Sequence, residues 1–277
     1  MSQVASGAEI VEGPRLRARS MVSEFPSKYG YPLVGIMILL AVWWFGGWLI
    51  ATNDDLSAFA DFAPGPTFAA LIDLIRSGDL TQTIVSSLFR VGAGLLWGFA
   101  IGVPVGILIG YVLVAMRVAN VPFQFLRMIS PLAWMPIAVL AFETWDSAII
   151  FLIVMATVWP IMFSTSHGVK RIDPSWFKVA KNLGASGTQM VHRIILPAIM
   201  SDVMAGVRLA VGVAWVVLVP AEYLGVTSGL GYAINDARDT LAYDTLAAIV
   251  LVIGVIGYLL DTVCGVLVSR FNWHQKD

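Results

Sequence analysis

Four charged side chains fall inside or beside the apolar runs of this 277-residue sequence, and they are Arg90, Arg127, Arg208 and Glu222. A charge inside hydrocarbon is costly, so each of them must meet water, a counter-charge or a ligand. An arginine so placed either attracts an anion or, as the alternative, reaches the membrane interface or pairs with a carboxylate. For Arg208 the candidate carboxylates are Asp202 and Asp261. Both roles stay open for the three arginines.

Trp134 and Met135 lie between Pro131 and Pro136 in an apolar run over residues 121–142. The prolines predict a kinked or broken helix there. Broken helices commonly surround transport sites, which makes these two side chains candidates for a translocation path. Packing of an aromatic residue in the protein interior accounts for them equally well.

Catalytic and metal-binding patterns are missing from the sequence. It contains no Gly-x4-Gly-Lys-Ser/Thr phosphate loop. His167, His192 and His274 have no metal-ligand spacing, and the single cysteine, Cys264, excludes a disulfide framework. We therefore predict no catalytic residue, no metal site and no cofactor in this chain, so that any energy for its function comes from a partner.

The composition predicts a membrane protein built from helices. Hydrophobic residues make up 58% of the chain and charged residues only 13%, whereas a soluble domain has about a quarter charged residues. Six apolar runs approach the length of a membrane span, over residues 32–50, 84–114, 121–142, 148–164, 199–221 and 246–268. A short amphipathic helix is predicted over residues 67–78, at the membrane surface. The predicted fold class is all-α, with about six transmembrane helices.

Basic residues fix the predicted orientation, because cytoplasmic loops retain Lys and Arg. With the N-terminus inside, the cytoplasmic side holds Arg15, Arg17, Arg19, Lys28, Arg117, Lys170, Arg171, Lys178, Lys181, Arg193, Arg270 and Lys276. The outer side holds only Arg76 and Arg238 together with most of the acidic residues. We accordingly predict cytoplasmic tails at 1–30 and 271–277, a first span with an outer segment at 31–80, and a membrane core at 81–270 that contains a cytoplasmic loop at 166–198.

The second apolar run carries glycines at an unbroken interval of four, namely Gly94, Gly98, Gly102, Gly106 and Gly110. On a helix this spacing leaves a groove without side chains, into which another backbone fits closely. Two interpretations remain: a helix that lines a pore or packs against a second copy, and helix packing within the chain.

The cytoplasmic loop contains a short basic helix. Asp173 and Pro174 predict its start, Gly184 interrupts it, and Pro197 is expected to redirect the chain into the fifth span. An ordinary cytoplasmic loop and a docking element for an acidic or polar partner both fit this composition.

One motif in this loop resembles a family signature: Ala180-x3-Gly184-x9-Ile194-x-Leu196-Pro197. It is similar to the cytoplasmic Glu-Ala-Ala signature of permease subunits in bacterial ABC importers, and Lys178 and Val179 stand at the Glu and first Ala positions. The stretches SSLFRVGAG (86–94), SPLAWMPIAVLAF (130–142), WPIMFST (159–165) and AEYLGVTSGLGYAINDAR (221–238) resemble the branch that imports nitrate, bicarbonate, taurine and alkanesulfonates.

The resemblance implies a type I importer in the bacterial inner membrane. Two permease copies would form the path, two separate subunits would bind and hydrolyse ATP with Mg²⁺, and a substrate-binding protein outside would deliver a small anion, with nitrate favoured over taurine, alkanesulfonate or bicarbonate. Nucleic acid is not an expected partner, and membrane lipid is.

The same resemblance implies roles for individual residues. The loop helix would be a coupling helix, which docks on the ATP-hydrolysing subunit. Lys178 lies on this helix, Ala180, Gly184 and Ala185 would give it a small-sided docking face, and Ile194 precedes the stiff joint at Leu196-Pro197. Glu222 would cap a gate or contact the binding protein. The alternatives to this function are a secondary transporter driven by an ion gradient and, third, a membrane enzyme.

Overall fold

The computed structural model describes residues 21–271, with side chains over residues 30–270 except at 54 and 57, and within this range it is helical without strands. The α-helices are α1 Met21–Ala51, α2 Pro64–Ser77, α3 Asp79–Tyr111, α4 Leu113–Met128, α5 Met135–Ala141, α6 Trp145–Arg171, α7 Pro174–Asn182, α8 Gly187–Met190, α9 Leu196–Gly225, α10 Leu230–Asp239 and α11 Tyr243–Phe271. Most of the predicted N-terminal tail, and the C-terminal tail after residue 271, lie outside the described residues.

The chain divides into two compact units, residues 1–64 and 65–277. In the first unit, α1 is followed by a 3₁₀ segment, Asp54–Phe62. The indole Nε1 of Trp43 donates a 2.9 Å hydrogen bond to the carbonyl oxygen of Phe62. Gly47 approaches Ala63, so that a methyl group on Gly47 would lie 3.0 Å from the Ala63 side chain. These contacts tie the segment back onto α1.

In the second unit, the glycine stripe packs α3 against α6. The five glycines face Ile153, Thr157, Ile161, Thr165 and Val169 in turn. Both series advance by four residues in the same direction, so α3 and α6 run parallel. A Cβ atom on Gly106 would lie 2.6 Å from the carbonyl oxygen of Met162, so only glycine fits at this approach. The structure therefore selects helix packing within the chain as the role of the stripe.

Two further long helices complete the bundle. Gly206 of α9 lies against Pro160 and Ser164 of α6, and Gly168 of α6 lies against Asp202, so α6 and α9 are antiparallel. The indole Nε1 of Trp215 donates a 3.2 Å hydrogen bond to the carbonyl of Ile253, which joins α9 to α11. The buried interior is formed mainly by α6 and α9.

The predicted break in the third span is present. Helix α4 and the segment Pro131–Ala141 are bent by 88°. The break lies between Met128 and Pro131, and Pro122 lies inside α4 without ending it. Because α3 and α6 are parallel, the chain must return between residues 111 and 145 to the end of the bundle at which α3 begins, and this bent pair makes the return. Counted as one span with the five long apolar helices of the described chain, it gives the six predicted spans.

The fifth span differs from its predicted limits of 199–221. An apolar helical stretch runs without a break from Gly187 to Gly225. Pro197 lies within this stretch and does not redirect the chain, and the change of direction occurs at residues 184–186. Residues Val191–Ile195 form a π-helical turn in which the Leu196 N–H bonds to the Val191 carbonyl. A turn wound with i→i+5 bonds accommodates the missing N–H and the ring of Pro197, so the helix continues.

Candidate functional sites

The segment after α6, predicted to be a cytoplasmic loop, begins as expected. The Asp173 carboxylate accepts a 2.8 Å hydrogen bond from the Ser175 N–H and caps α7, with Pro174 in its first turn. This hydrogen bond, reinforced by the Ser175 side chain and the charge of Lys178, lowers the pKa of Asp173. The cap therefore stays ionised near neutral pH, and its contribution is lost only as the pH falls through this lowered value.

The end of α7 is also formed by local sequence. Gly184 has φ +76°, a left-handed conformation that favours glycine, and the Ala185 N–H bonds back to the Ala180 carbonyl at 3.0 Å. Ser186 and Gln189 then form a reciprocal capping box at the start of α8. The sequence from residue 173 to residue 190 thus specifies a helix, a tight turn and a second helix start.

The predicted small-sided docking face is wrong for Ala180. Its side chain is only 6% exposed and packs with Val169, Ile172, Met190 and Ile195 at the base of α6 and α9. Ala185 packs against the same cluster, as do Ile194 and Leu196. These residues attach the segment to the bundle. Gly184 and Lys178 remain exposed.

An apolar stripe runs along the exposed side of α7 and continues to its C-terminal cap residue. Trp176, Val179 and Leu183, spaced i, i+3 and i+7, are 54%, 57% and 83% exposed. Sequence reasoning missed this stripe, although its helical spacing was readable, because such a stripe normally predicts the side that faces the protein interior. Here that side is taken by Ala180 and by Phe177, whose ring lies 5.4 Å from that of Tyr111 on α3.

Arg90 and Glu222, predicted for the translocation path, form a buried ion pair with each other. Arg90 is 3% exposed and Glu222 is fully buried. Glu222 lies in the last turns of α9, which extends beyond the predicted end of the fifth span at residue 221. Its carboxylate accepts hydrogen bonds from the Ser87 hydroxyl at 2.8 and 2.9 Å and from the Gly231 N–H at 3.0 Å.

Arg90 extends this hydrogen-bond network to the exposed carboxylate of Asp146. Its Nε donates to Asp146 Oδ1 at 2.8 Å, and its Nη1 and Nη2 donate to the carbonyl oxygen and hydroxyl of Ser228 at 2.9 and 2.8 Å. Gly229, at φ +109°, brings the backbone against this pair. The cluster therefore joins the 86–94 and 221–238 stretches and anchors the loop between α9 and α10.

Arg208 pairs with one of its two candidate carboxylates. Its Nε and Nη2 donate to the two oxygens of Asp261 at 3.0 and 2.9 Å. The other candidate, Asp202, instead pairs with Arg171 at 3.2 Å. The counter-charge interpretation thus accounts for Arg208 in this chain.

Trp134 and Met135 pack against the buried cluster around Leu152 and Leu218. The indole Nε1 of Trp134 is buried and, in the described part of the chain, has no hydrogen-bond partner. The structure places both side chains in interior packing.

Arg127 differs from the other two arginines. It lies on α4 and its guanidinium stands 5.2 Å from the centre of the Phe163 ring on α6. Two adjoining clefts, of about 280 and 470 Å³, share Arg127, Phe163 and His167. The spacing of Asn120, Gln124 and Arg127 on one face of α4 was a readable signal for this polar surface.

Among the side chains described, no group of three His, Cys, Asp or Glu residues is arranged to hold a metal ion.

Comparisons with known proteins agree with this architecture. Residues 102–273 match the family model described as the binding-protein-dependent transport system inner membrane component. The bicarbonate transport system permease protein CmpB of Synechococcus elongatus is 34% identical, over 83% of this chain and 84% of its own length. The nitrate import permease protein NrtB of Leptolyngbya laminosa is 29% identical, over 94% and 96%. The taurine transport system permease protein TauC of Escherichia coli K12 is 30% identical, over 87% and 88%.

A solved chain of the MetNI methionine ABC transporter, in an inward-facing conformation, covers 70% of this chain and 96% of its own length with a TM-score of 0.55 at 17% identity. This likeness concerns the fold alone. The predicted resemblance is thus confirmed: the chain belongs to the family of inner membrane components of binding-protein-dependent transport systems, in the branch that includes bicarbonate, nitrate and taurine permeases.

Proposed function

We propose that this chain is the permease of an ATP-driven importer for a small oxyanion in the bacterial inner membrane. Two copies form the path, two separate subunits bind and hydrolyse ATP with Mg²⁺, and a binding protein delivers the substrate from outside. The chain itself catalyses nothing. The observation that carries the proposal is the cytoplasmic segment 173–190, which is attached to the bundle on one side and carries an exposed apolar stripe on the other.

The stripe of Trp176, Val179 and Leu183 is the proposed docking surface for the ATP-hydrolysing subunit. Large apolar side chains that stay exposed on a helix at the cytoplasmic side of the membrane are typical of a contact with another protein. Lys178 and Lys181 flank the stripe and suit a partner with an acidic rim. Gly184 and Ala185 shape the turn behind the stripe, and Ala180 holds it in place from inside.

Movement of the docking surface is transmitted to the translocation path through a continuous helix. The helical stretch from Gly187 to Gly225 begins directly after the turn that ends α7. A rigid helix of 39 residues is about 59 Å long at 1.5 Å per residue, enough to connect the docking surface with the outer side. Pro197 and the π-helical turn before it lie at the start of this stretch and form its stiff joint.

The substrate class follows from what the named relatives carry. Bicarbonate, nitrate and taurine all present a compact group of oxygen atoms with negative charge. We propose an oxyanion of this kind for the present chain, with nitrate first, then taurine or an alkanesulfonate, or bicarbonate. The binding protein would make most of this choice.

The proposal is tested with tagged full-length chain purified from its own host. Wild type should co-purify with a subunit that contains a phosphate-loop motif, and proteoliposomes should take up nitrate, taurine or bicarbonate only with ATP. Leu183→Asp should reduce co-purification and uptake at least tenfold, because a carboxylate cannot be desolvated in an apolar contact. Asn182→Asp, a neighbouring exposed position on α7, should change neither.

Uptake by the purified chain without ATP or a partner would contradict the proposal and favour the secondary transporter driven by an ion gradient. If the Leu183→Asp variant co-purifies with its partner and supports uptake as wild type does, the proposed docking surface is wrong, while the proposal of ATP-driven import is not contradicted.

A further inference from the structure

We propose that Arg127 is the oxyanion-binding residue of the translocation path, and that His167 and Lys170 line the route from it to the cytoplasm; this inference rests on the proposed function. The starting observation is the face of α4 that turns toward α6. It carries Asn120, Gln124 and Arg127, and together with Ser166, His167 and Lys170 of α6 it lines the smaller cleft.

Of the three arginines in or beside the spans, Arg127 is the one without a carboxylate partner in the described part of the chain. Arg90 and Arg208 are each paired with carboxylates. Among the side chains that the structure describes, by contrast, no carboxylate lies within ion-pair distance of Arg127, and its guanidinium contacts the face of Phe163. Contact with a ring face leaves the N–H groups in the guanidinium plane free to donate. An intramembrane arginine without a counter-charge indicates a functional site.

The two clefts provide a path with one sign of charge. Neither is lined by an Asp or Glu side chain, and the smaller is lined by Arg127, Lys170 and His167. The larger cleft continues past Arg127 to the bend at Pro131 and to Leu209 and Val213 of α9, where its walls are mainly apolar. An anion that crosses this apolar part loses its hydration water, and the Arg127 guanidinium is the cation that then binds it.

The chemistry of the guanidinium defines the ligand class. Its planar fork of N–H donors matches two oxygens of one anion, as in nitrate, bicarbonate or a sulfonate, and a halide offers no such pair. A hydrogen bond to a charged group contributes about 1.5–3 kcal/mol, so loss of the fork should weaken anion transport about tenfold to a hundredfold.

The first experiment compares reconstituted complexes that contain wild type, Arg127→Gln, Arg127→Lys or Arg117→Gln. Nitrate, bicarbonate and taurine are tested separately. Arg127→Gln should lower ATP-dependent uptake of the transported anion at least tenfold, although the complex assembles as in wild type. Arg127→Lys should recover part of it. Arg117 is an exposed arginine on the same helix that does not line the clefts, so Arg117→Gln should remain within twofold of wild type.

The second experiment needs no partner subunit. In full-length chain with Cys264→Ala, the substitution Gln124→Cys places one thiol in the cleft, about one helical turn from Arg127. Anionic and cationic thiosulfonate reagents of matched size are then compared. At a separation of about 6 Å in water, the positive charge of Arg127 should raise the labelling rate of the anionic reagent about threefold and lower that of the cationic reagent about threefold. Arg127→Gln should therefore reduce the ratio of the anionic to the cationic labelling rate about tenfold.

The outcomes separate the two proposals. Loss of uptake together with the fall in rate ratio supports the role of Arg127. Uptake of Arg127→Gln within twofold of wild type overturns that role while the importer stands. If the wild-type complex transports none of the three anions, the proposed substrate class is wrong. The labelling experiment then tests the anion site by itself, and an anionic-to-cationic labelling ratio that Arg127→Gln does not change contradicts that site.

Discussion

Glu222→Ala tests the buried ion-pair cluster at the outer end of the bundle. The substitution leaves the guanidinium of Arg90, which is 3% exposed, without its buried counter-charge. It also removes the acceptor of the Ser87 hydroxyl and of the Gly231 N–H. Asp146, the remaining carboxylate, is 57% exposed and is therefore a weaker counter-charge.

The magnitude follows from this geometry. Breaking a buried ion pair by removing one partner costs about 3–5 kcal/mol, because the other charge stays buried and uncompensated. For a chain of this size each kcal/mol corresponds to about 2–4 °C, so the apparent melting temperature should fall by roughly 6–20 °C. Glu222→Gln, which keeps the shape and one acceptor oxygen, should lose less.

The assay is thermal unfolding of purified chain in one detergent at one scan rate, since membrane proteins often unfold irreversibly. Glu143→Ala removes an exposed carboxylate from the same outer region and serves as the control. The double variant Arg90→Leu/Glu222→Ala should be more stable than the sum of the single changes predicts, by about 1–3 kcal/mol. Additive effects, or a Glu222→Ala melting temperature within 2 °C of wild type, would refute the reasoning.

Three other substitutions give sharp expectations. Gly106→Ala should destabilise the bundle by about 1–3 kcal/mol, because its methyl group would lie 2.6 Å from the Met162 carbonyl oxygen. The control is Gly92→Ala on the same helix, whose methyl group would meet nothing within 4 Å and should leave stability unchanged. Thermal unfolding of the two variants compares them. Gly184→Ala should lower the free energy of unfolding by about 1–2 kcal/mol, because the φ angle of this residue is +76°. Limited proteolysis should then cut the segment 173–190 faster than in wild type. Trp134→Phe removes a buried N–H without a partner, so stability should be unchanged or higher and uptake normal; a loss of uptake would return this indole to the path.

Local and periodic features were predictable from the sequence. The apolar runs predicted the number of spans, the proline cluster predicted the broken third span, and glycines at an interval of four predicted close helix packing. Asp173, Pro174 and Gly184 gave the limits of the loop helix because capping and left-handed turns depend on neighbouring residues alone.

Long-range pairing was not predictable. Arg90 and Glu222 are 132 positions apart, and only the fold shows that they share one buried site. The burial of Ala180 depends on the bases of α6 and α9, so its side of α7 could not be assigned from spacing. The π-helical turn before Pro197 depends on a helix that continues through the proline, whereas the residue itself predicts a bend.

Site-directed crosslinking from Leu183 tests the central claim most directly. In the Cys264→Ala background, Leu183→Cys carrying a short photoactivated crosslinker is examined in membranes of the native host, with and without ATP. We predict a crosslink to a subunit identified by mass spectrometry as carrying a phosphate-loop motif, with a yield that changes with ATP. If that subunit is never captured, or if only reagents added from the outer side reach this thiol, the account is contradicted.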